Sequence, residues 1–137
     1  MVKKKYMYLE MKEEIAMMQD KIYQKIYNEV DPFLPNQWNK LVVYIEYGVN
    51  SYSMSFYVTA EGKTVKCFDL PYIDESKLLD AFSRIDKIVG IERDNEVDKW
   101  SNMTLVIEGE SFRADFDYTD LSKGSFAYKR EWKKKYL

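Results

Sequence analysis

The sequence of 137 residues contains no histidine, one cysteine and five glycines, none of which is adjacent to another. Because histidine is the commonest general base and metal ligand near neutral pH, its absence removes most hydrolase and zinc constellations. Glycines that are scattered singly cannot form a phosphate-binding loop or a dinucleotide-binding fingerprint. The composition therefore argues against an enzyme, and it predicts no catalytic residue, no metal site and no cofactor.

The chain also lacks paired cysteines and long apolar runs. The lone cysteine, Cys67, permits no internal disulfide, and a free thiol suits a reducing cytoplasm. Acidic residues interrupt the N-terminal segment from Glu10 onward, before the apolar core of a signal peptide could form. The apolar run Leu41–Ile45 is far shorter than the ~20 residues that a membrane helix needs. We therefore expect a cytoplasmic protein with no membrane partner.

Positive and negative charges nearly cancel, with 21 basic and 23 acidic residues. No field of the whole molecule therefore draws the chain to nucleic acid or to a membrane, and any electrostatic recognition must be local. Hydrophobic residues make up 46% of the sequence, which is enough to form a core. At this length we expect a single domain that covers residues 1–137.

The hydrophobic spacing predicts a long first helix that ends at Asp31-Pro32, because proline cannot continue helical hydrogen bonding. Its apolar stripe consists of Met11, Ile15, Met18, Ile22, Ile26 and Val30. Residues 1–16 are a candidate N-terminal helical extension of the domain. A second stripe predicts a helix that begins after the N-cap Asp74 and ends near Gly90, followed by a polar connector.

Between these helices, apolar and polar residues alternate with the period of two that is typical of strands. The pattern predicts a three-stranded meander over residues 41–68, whose third strand lies around Thr64–Phe68. Turn residues occur at Gly48–Asn50 and at Glu61-Gly62. Strands joined by such short turns pair in antiparallel fashion.

The period of two returns after Trp100 and predicts a second hairpin over residues 103–118. A short terminal helix follows, with Tyr128, Trp132 and Tyr136 on one face. The resulting order α-βββ-α-ββ-α predicts an α+β fold with a mainly antiparallel sheet and helices packed largely on one face.

The most acidic stretch of the sequence lies in the second hairpin and the loop after it. It contains Glu108, Glu110, Asp115, Asp117 and Asp120 against the single base Arg113, with Tyr118 nearby. Residues two apart on a strand point the same way, so Asp115 and Asp117 share the face opposite Phe112 and Phe116. These carboxylates could form a solvated outer face, a partner-binding surface or a catalytic pair, and the scarcity of other catalytic groups disfavours the third.

Basic residues cluster in the terminal helix, at Lys129, Arg130, Lys133, Lys134 and Lys135. Together with aromatic rings they could bind single-stranded nucleic acid by phosphate contacts and stacking. The regular spacing of Tyr128, Trp132 and Tyr136 favours another interpretation, in which these rings pack on the sheet and the lysines face water. We therefore expect no direct nucleic-acid partner.

Three further side chains have a structural and a functional interpretation. Trp38 and Trp100 each precede a predicted strand, where tryptophan usually anchors an element to the core, and an exposed one would be a candidate hot spot for binding. Cys67 is expected to be a small buried hydrophobic residue, because the chain has no histidine to activate its thiol.

Several short motifs occur in a definite order along the chain. They are Asp20-Lys-Ile-Tyr-Gln-Lys-Ile-Tyr27, Pro35-Asn-Gln-Trp38, Trp100 before a strand, Phe112-Arg-Ala-Asp-Phe-Asp117-Tyr118-Thr-Asp120 and Arg130-Glu-Trp132-Lys-Lys-Lys-Tyr136-Leu137. In this order the sequence resembles the YezG-like family of bacterial immunity proteins, which includes the EsaG-type antitoxins of nuclease toxins exported by type VII secretion. The resemblance covers about residues 15–137.

The resemblance implies an antitoxin that sequesters the nuclease domain of a toxin in the producing cell and needs no active site of its own. A nuclease must present positive charge to hold phosphate, so its inhibitor gains association rate from an acidic surface. The predicted toxin-binding residues are Glu108, Glu110, Asp115, Asp117, Tyr118 and Asp120. The alternatives are a nucleic-acid-binding domain that uses the basic terminal helix, and a structural or adaptor module that binds proteins.

Overall fold

A computed structural model of the chain describes residues 21–137, which form a five-stranded sheet and three helices. The first helix, α1, includes residues 21–30. The other elements are β1 (Lys40–Gly48), β2 (Ser51–Ala60), β3 (Lys63–Lys66), α2 (Glu75–Asp94), β4 (Asn102–Glu108), β5 (Ser111–Asp117) and α3 (Phe126–Tyr136). The candidate extension over residues 1–16 and the stripe residues Met11, Ile15 and Met18 lie outside the described residues.

The strands are arranged in the order β3-β2-β1-β4-β5, and each neighbouring pair is antiparallel. Two-residue turns close the hairpins at residues 49–50, 61–62 and 109–110. The longest strands, β1 and β2, lie inside the sheet, and β5 forms one edge. The predicted α+β class, the element order and the antiparallel sheet are confirmed.

One face of the sheet carries the larger part of the core. The odd residues of β1 point into it, and α1 and α2 cover it with the apolar stripes predicted for them. The buried residues on this side include Ile26, Val30, Leu41, Val43, Ile45, Leu78, Phe82, Ile85, Val89, Trp100 and Leu105. Two of the three helices therefore pack on the same face of the sheet. This agrees with the prediction that the helices lie largely on one face.

The third helix, α3, lies on the opposite face. Val42 and Tyr44 of β1, Tyr57 of β2 and Val106 of β4 form an apolar area that Trp132 and Tyr136 cover. The aromatic stripe of α3 thus packs on the sheet, which confirms the packing interpretation. This arrangement follows from the run Leu41–Ile45, because a strand that is apolar at every position is buried on both faces.

The third strand is shorter than the sequence predicted. It ends at Lys66, and the next three residues, Cys67–Asp69, form a 3-10 turn. Cys67 is fully buried in the core, and this burial raises the pKa of its thiol. The prediction of a strand through Phe68 was wrong, whereas the expectation of a buried Cys67 is confirmed.

Helix α2 is longer than predicted and continues through Gly90 to Asp94. A Cβ at position 90 would lie 3.3 Å from Asp86 Oδ1 and 3.5 Å from the Tyr47 hydroxyl oxygen. Those two atoms form a 2.6 Å hydrogen bond in which Tyr47 donates. Gly90 is therefore a site of close approach between α2 and β1 and not a helix end, so the predicted polar connector begins later. The predicted N-cap is confirmed, since Asp74 accepts a hydrogen bond from the backbone N–H of Lys77.

Candidate protein-binding surface

The edge strand β5 carries or adjoins all six of the predicted binding residues. Its turn with β4 has Gly109 at a φ of +62°, which suits a tight hairpin that glycine forms at no steric cost. Because Glu108 and Ser111 close this two-residue turn, their backbone groups form a hydrogen-bonded pair. From there along β5, residues that are hydrogen-bonded to β4 alternate with residues that are not. The backbone groups of Phe112, Ala114 and Phe116 therefore point away from the sheet, and within residues 21–137 no strand pairs with them.

Asp115 and Asp117 lie towards the carboxyl end of β5 and face α3. The hydroxyl of Tyr136 donates a 2.7 Å hydrogen bond to Asp115 Oδ2, and the hydroxyl of Tyr128 lies 2.7 Å from Asp117 Oδ2. Asp117 also accepts hydrogen bonds from the backbone N–H and the hydroxyl of Thr119, at 2.9 and 2.7 Å. The sequence predicted correctly that the two carboxylates share a face, but it did not predict that α3 binds them.

These hydrogen bonds perturb the acid-base properties of the groups involved. The bonds from Thr119 and Tyr128 hold the pKa of Asp117 below its usual value. Burial, reinforced by the bond to Asp115, raises the pKa of Tyr136 to about 12. Burial and the contact with Asp117 likewise raise the pKa of Tyr128, so both tyrosines stay protonated near neutral pH and can donate hydrogen bonds to the two carboxyl groups.

A shallow cleft of about 210 Å³ lies between β5 and α3, where these groups meet. Trp132 forms its inner wall and donates from Nε1 to the Thr104 hydroxyl at 2.9 Å. Asp115 and Asp117 remain partly exposed beside it. Their carboxylates therefore hold α3 in place and still present negative charge to solvent.

Glu110 lies at the other end of β5, beside a second cleft of about 270 Å³. Aromatic rings line this cleft, and they come from α1, from the segment before β1 and from β5. Its lining side chains include Tyr23, Gln24, Tyr27, Trp38, Glu110 and Phe112. The sequence indicated Trp38 and Glu110 separately, whereas the contributions of Tyr23 and Tyr27 were missed, because no local pattern joins α1 to the hairpin.

The remaining predicted residues occupy separate positions. Glu108 is paired with Lys40 in the sheet register and therefore shares the face on which Lys40 Nζ donates to the Tyr136 carbonyl. Tyr118 is 56% exposed and lines an open depression with Val97 and Lys99. Asp120 accepts a hydrogen bond from the backbone N–H of Ser122, which lowers the pKa of its carboxyl group. The six residues form a strip along one edge of the sheet, with Glu108 and Glu110 on different faces of it.

Two aromatic rings of the basic helix α3, those of Trp132 and Tyr136, are not accessible to a ligand, whereas Phe126 at the start of the helix is 84% exposed. Trp132 and Tyr136 are buried against the sheet, with the ring centroids of Trp132 and Tyr44 4.8 Å apart. Lys129 Nζ lies 4.6 Å from the centroid of the Tyr44 ring, which places its cation on an aromatic face of the protein itself. Base stacking of the kind that the nucleic-acid alternative requires would need these rings to be accessible.

The two tryptophans that precede strands have different environments. Trp100 is buried in the core, and its carbonyl accepts a 2.6 Å hydrogen bond from Arg93 Nε at the end of α2. Trp38 is partly exposed at the second cleft, with its ring centroid 6.3 Å from that of Tyr27. Trp100 is therefore an anchor, and Trp38 is the tryptophan that a partner could contact.

Residues 21–137 lack the features of two other classes of function. No group of three or more cysteine, aspartate or glutamate side chains comes together there in a way that could hold a metal ion. In the same part of the chain, no helix has both the length and the apolar character needed to cross a bilayer.

The structure defines a small α+β protein with acidic side chains along one edge of its sheet. Residues 19–137 match the family described as immunity protein YezG-like, and the chain belongs to that family. No curated protein matches the chain. The resemblance inferred from the sequence is thus confirmed over nearly the whole chain. Membership assigns the protein an immunity role, which implies a toxin as its partner and a non-catalytic, inhibitory action.

Proposed function

We propose that this protein is a cytoplasmic antitoxin that neutralises a nuclease toxin of a type VII secretion system by stoichiometric binding. The observation that supports the nuclease target is the strip of acidic side chains along β5 and the loop after it. A nuclease holds a polyanion and so presents a basic surface, to which such a strip is complementary. Inhibition by occupation of that surface requires no catalytic group in the antitoxin.

The dimensions of the strip suit this task. Seven residues of β5 extend over roughly 20 Å at ~3.3 Å per residue. A stable protein interface buries about 800 Å² on each partner, a patch somewhat wider than this length. The length of β5, which carries Asp115 and Asp117, therefore fits within one interface.

The internal hydrogen bonds of Asp115 and Asp117 are compatible with toxin binding. A carboxylate has about four lone-pair sites. Asp115 Oδ2 accepts hydrogen bonds from Tyr136 and, at 3.4 Å, from Arg113, so sites remain for a partner. Asp117 already accepts three hydrogen bonds, from Tyr128 and Thr119, and has fewer sites left. Because α3 fixes both side chains in place, little side-chain entropy is lost when a cationic partner binds them. We therefore retain Glu108, Glu110, Asp115, Asp117, Tyr118 and Asp120 as the proposed toxin-binding residues.

Co-expression with a nuclease toxin encoded beside this gene tests the proposal. We expect the two proteins to purify together in equal amounts and the growth defect caused by the toxin to disappear. A toxin that neither binds the chain nor is neutralised by it, or a neighbouring toxin that is not a nuclease, would contradict the assignment.

Charge reversal tests the location of the surface. The double variant Glu110→Lys and Asp120→Lys changes two exposed side chains, so the fold should be retained. We expect its association rate with the toxin to fall about tenfold at low salt and the dependence on ionic strength to weaken. The matched control is Glu61→Lys, an exposed reversal in the β2-β3 turn at the opposite edge, which should leave both quantities unchanged. Equal effects of the control and the double variant would place the toxin elsewhere.

A further inference from the structure

The cleft at the hairpin end of β5 combines aromatic residues from three segments of the chain with one acidic residue. Four aromatic side chains, those of Tyr23, Tyr27, Trp38 and Phe112, line it together with the carboxylate of Glu110. The centroids of the Tyr23 and Phe112 rings are 5.8 Å apart in an edge-to-face arrangement. Rings from three separate segments of the chain therefore converge at one exposed carboxylate.

This combination is selective for a cation with an apolar or planar body. Aromatic faces attract positive charge through their quadrupoles, and a carboxylate adds a charge-assisted hydrogen bond. Within residues 21–137, the residues that line the cleft include one carboxylate and no basic side chain. A second carboxylate, that of Asp31, accepts a 3.0 Å hydrogen bond from the hydroxyl of Tyr27. An anion would meet net negative charge here, and a purely apolar group would leave Glu110 without a partner.

The volume of the cleft indicates what kind of ligand it could hold. Its volume of about 270 Å³ is below the ~300–1,000 Å³ of pockets that enclose a small-molecule ligand. One long side chain inserted by another protein is a better match. Arginine fits better than lysine, because its planar guanidinium stacks on rings and pairs with a carboxylate through two hydrogen bonds.

We infer that this cleft binds an arginine side chain of the protein partner, with the guanidinium among the aromatic rings and paired with Glu110. The inference rests on the proposed function for the identity of the partner, because a surface that binds phosphate carries arginine and lysine side chains. It adds a defined anchor point at the hairpin end, since buried arginine and aromatic groups supply most of the binding energy of typical interfaces.

The first test needs no toxin and uses N-acetyl-arginine methylamide as the probe. We expect it to shift the side-chain NMR signal of Trp38 in a saturable manner, whereas the citrulline analogue, which is uncharged and nearly the same shape, should not. Glu110→Gln should weaken probe binding about fivefold, because a partly exposed charge pair is lost. Glu108→Gln is the matched control, since this residue is two positions away and points to the other face of the sheet. An equal response to citrulline, or no response to arginine, would overturn the inference.

The second test uses the complete toxin, the Glu110→Gln variant and a control variant, Glu61→Gln, at the opposite edge of the sheet. We expect Glu110→Gln to raise the dissociation constant by about fivefold or more and Glu61→Gln to leave it unchanged. If the toxin binds both variants as tightly as the unmodified chain, the inference is wrong and the proposed function stands. If the unmodified chain binds no nuclease, the proposed function fails, and the arginine titration alone still decides whether the cleft recognises a guanidinium.

Discussion

The two ends of β5 differ in how their acidic side chains are used. At the carboxyl end, Asp115 and Asp117 accept hydrogen bonds from α3 and therefore contribute to the fold as well as to the surface. At the hairpin end, Glu110 projects beside an open aromatic cleft. Acidic residues a few positions apart in one hairpin can thus have different roles. The net charge of the whole stretch does not distinguish these roles.

Of the changes considered, removal of the Trp132 ring, which anchors α3 to the sheet, should lower the free energy of unfolding most. Trp132→Ala deletes a buried ring and its 2.9 Å hydrogen bond to Thr104, so we expect the free energy of unfolding to fall by about 3–5 kcal/mol. Denaturant titration measures the loss. Trp38→Ala at the partly exposed hairpin end should cost clearly less. Equal losses would mean that the two ends are equally tied to the core.

Truncation of an acidic side chain at the α3 end of β5 should lower the free energy of unfolding by an intermediate amount. Asp117→Ala removes the acceptor of the Tyr128 and Thr119 hydroxyls, and we expect a loss of about 1–2 kcal/mol in stability. Glu110→Ala should change stability by no more than about 0.5 kcal/mol, because it removes an exposed side chain from a turn.

A double-mutant cycle isolates the contact to α3. If Asp117 acts through Tyr128, then Asp117→Ala combined with Tyr128→Phe should cost less than the sum of the single changes. Strict additivity in denaturant titrations would show that the carboxylate stabilises its own loop through Thr119 and not the helix.

The smallest expected effect is the change in the stability contribution of Asp117 at acid pH. The pKa of Asp117 is lower in the folded than in the unfolded chain, so its ionised form stabilises the fold. This contribution is complete above the unfolded pKa of about 3.9 and is lost as pH falls through the lower folded value. The stability difference between the unmodified chain and Asp117→Asn should therefore shrink from about pH 5 to about pH 3. A difference that stays constant over this range would show that ionisation of Asp117 does not matter.

The sequence predicted the elements of this fold well, because hydrophobic period and turn residues agree along most of the chain. It predicted the shared face of Asp115 and Asp117 from strand alternation alone. Their tyrosine partners were missed because the helices were expected largely on one face. The signal was present in Leu41–Ile45, whose apolar residues occupy both strand parities and require cover on both sides of the sheet.

The aromatic cleft could not be predicted in the same way. Trp38 and Glu110 are far apart in the chain, and their proximity depends on how α1 crosses the sheet and on the register of the β4-β5 hairpin. Similarly, Gly90 was interpreted as a helix end, because local propensity gives no sign of the Tyr47 hydroxyl that needs the space. Contacts between distant segments decided each of these features.

The distribution of the three tryptophans gives the molecule an optical reporter for each region. Trp132 of α3 lies between that helix and the sheet, Trp100 lies in the core on the opposite face, and Trp38 borders the cleft at the hairpin end. A neutral collisional quencher will therefore extinguish the emission of Trp38 before that of the two buried indoles. Arrival of a partner at the hairpin end can consequently be followed by loss of quenching, in unlabelled protein and in real time.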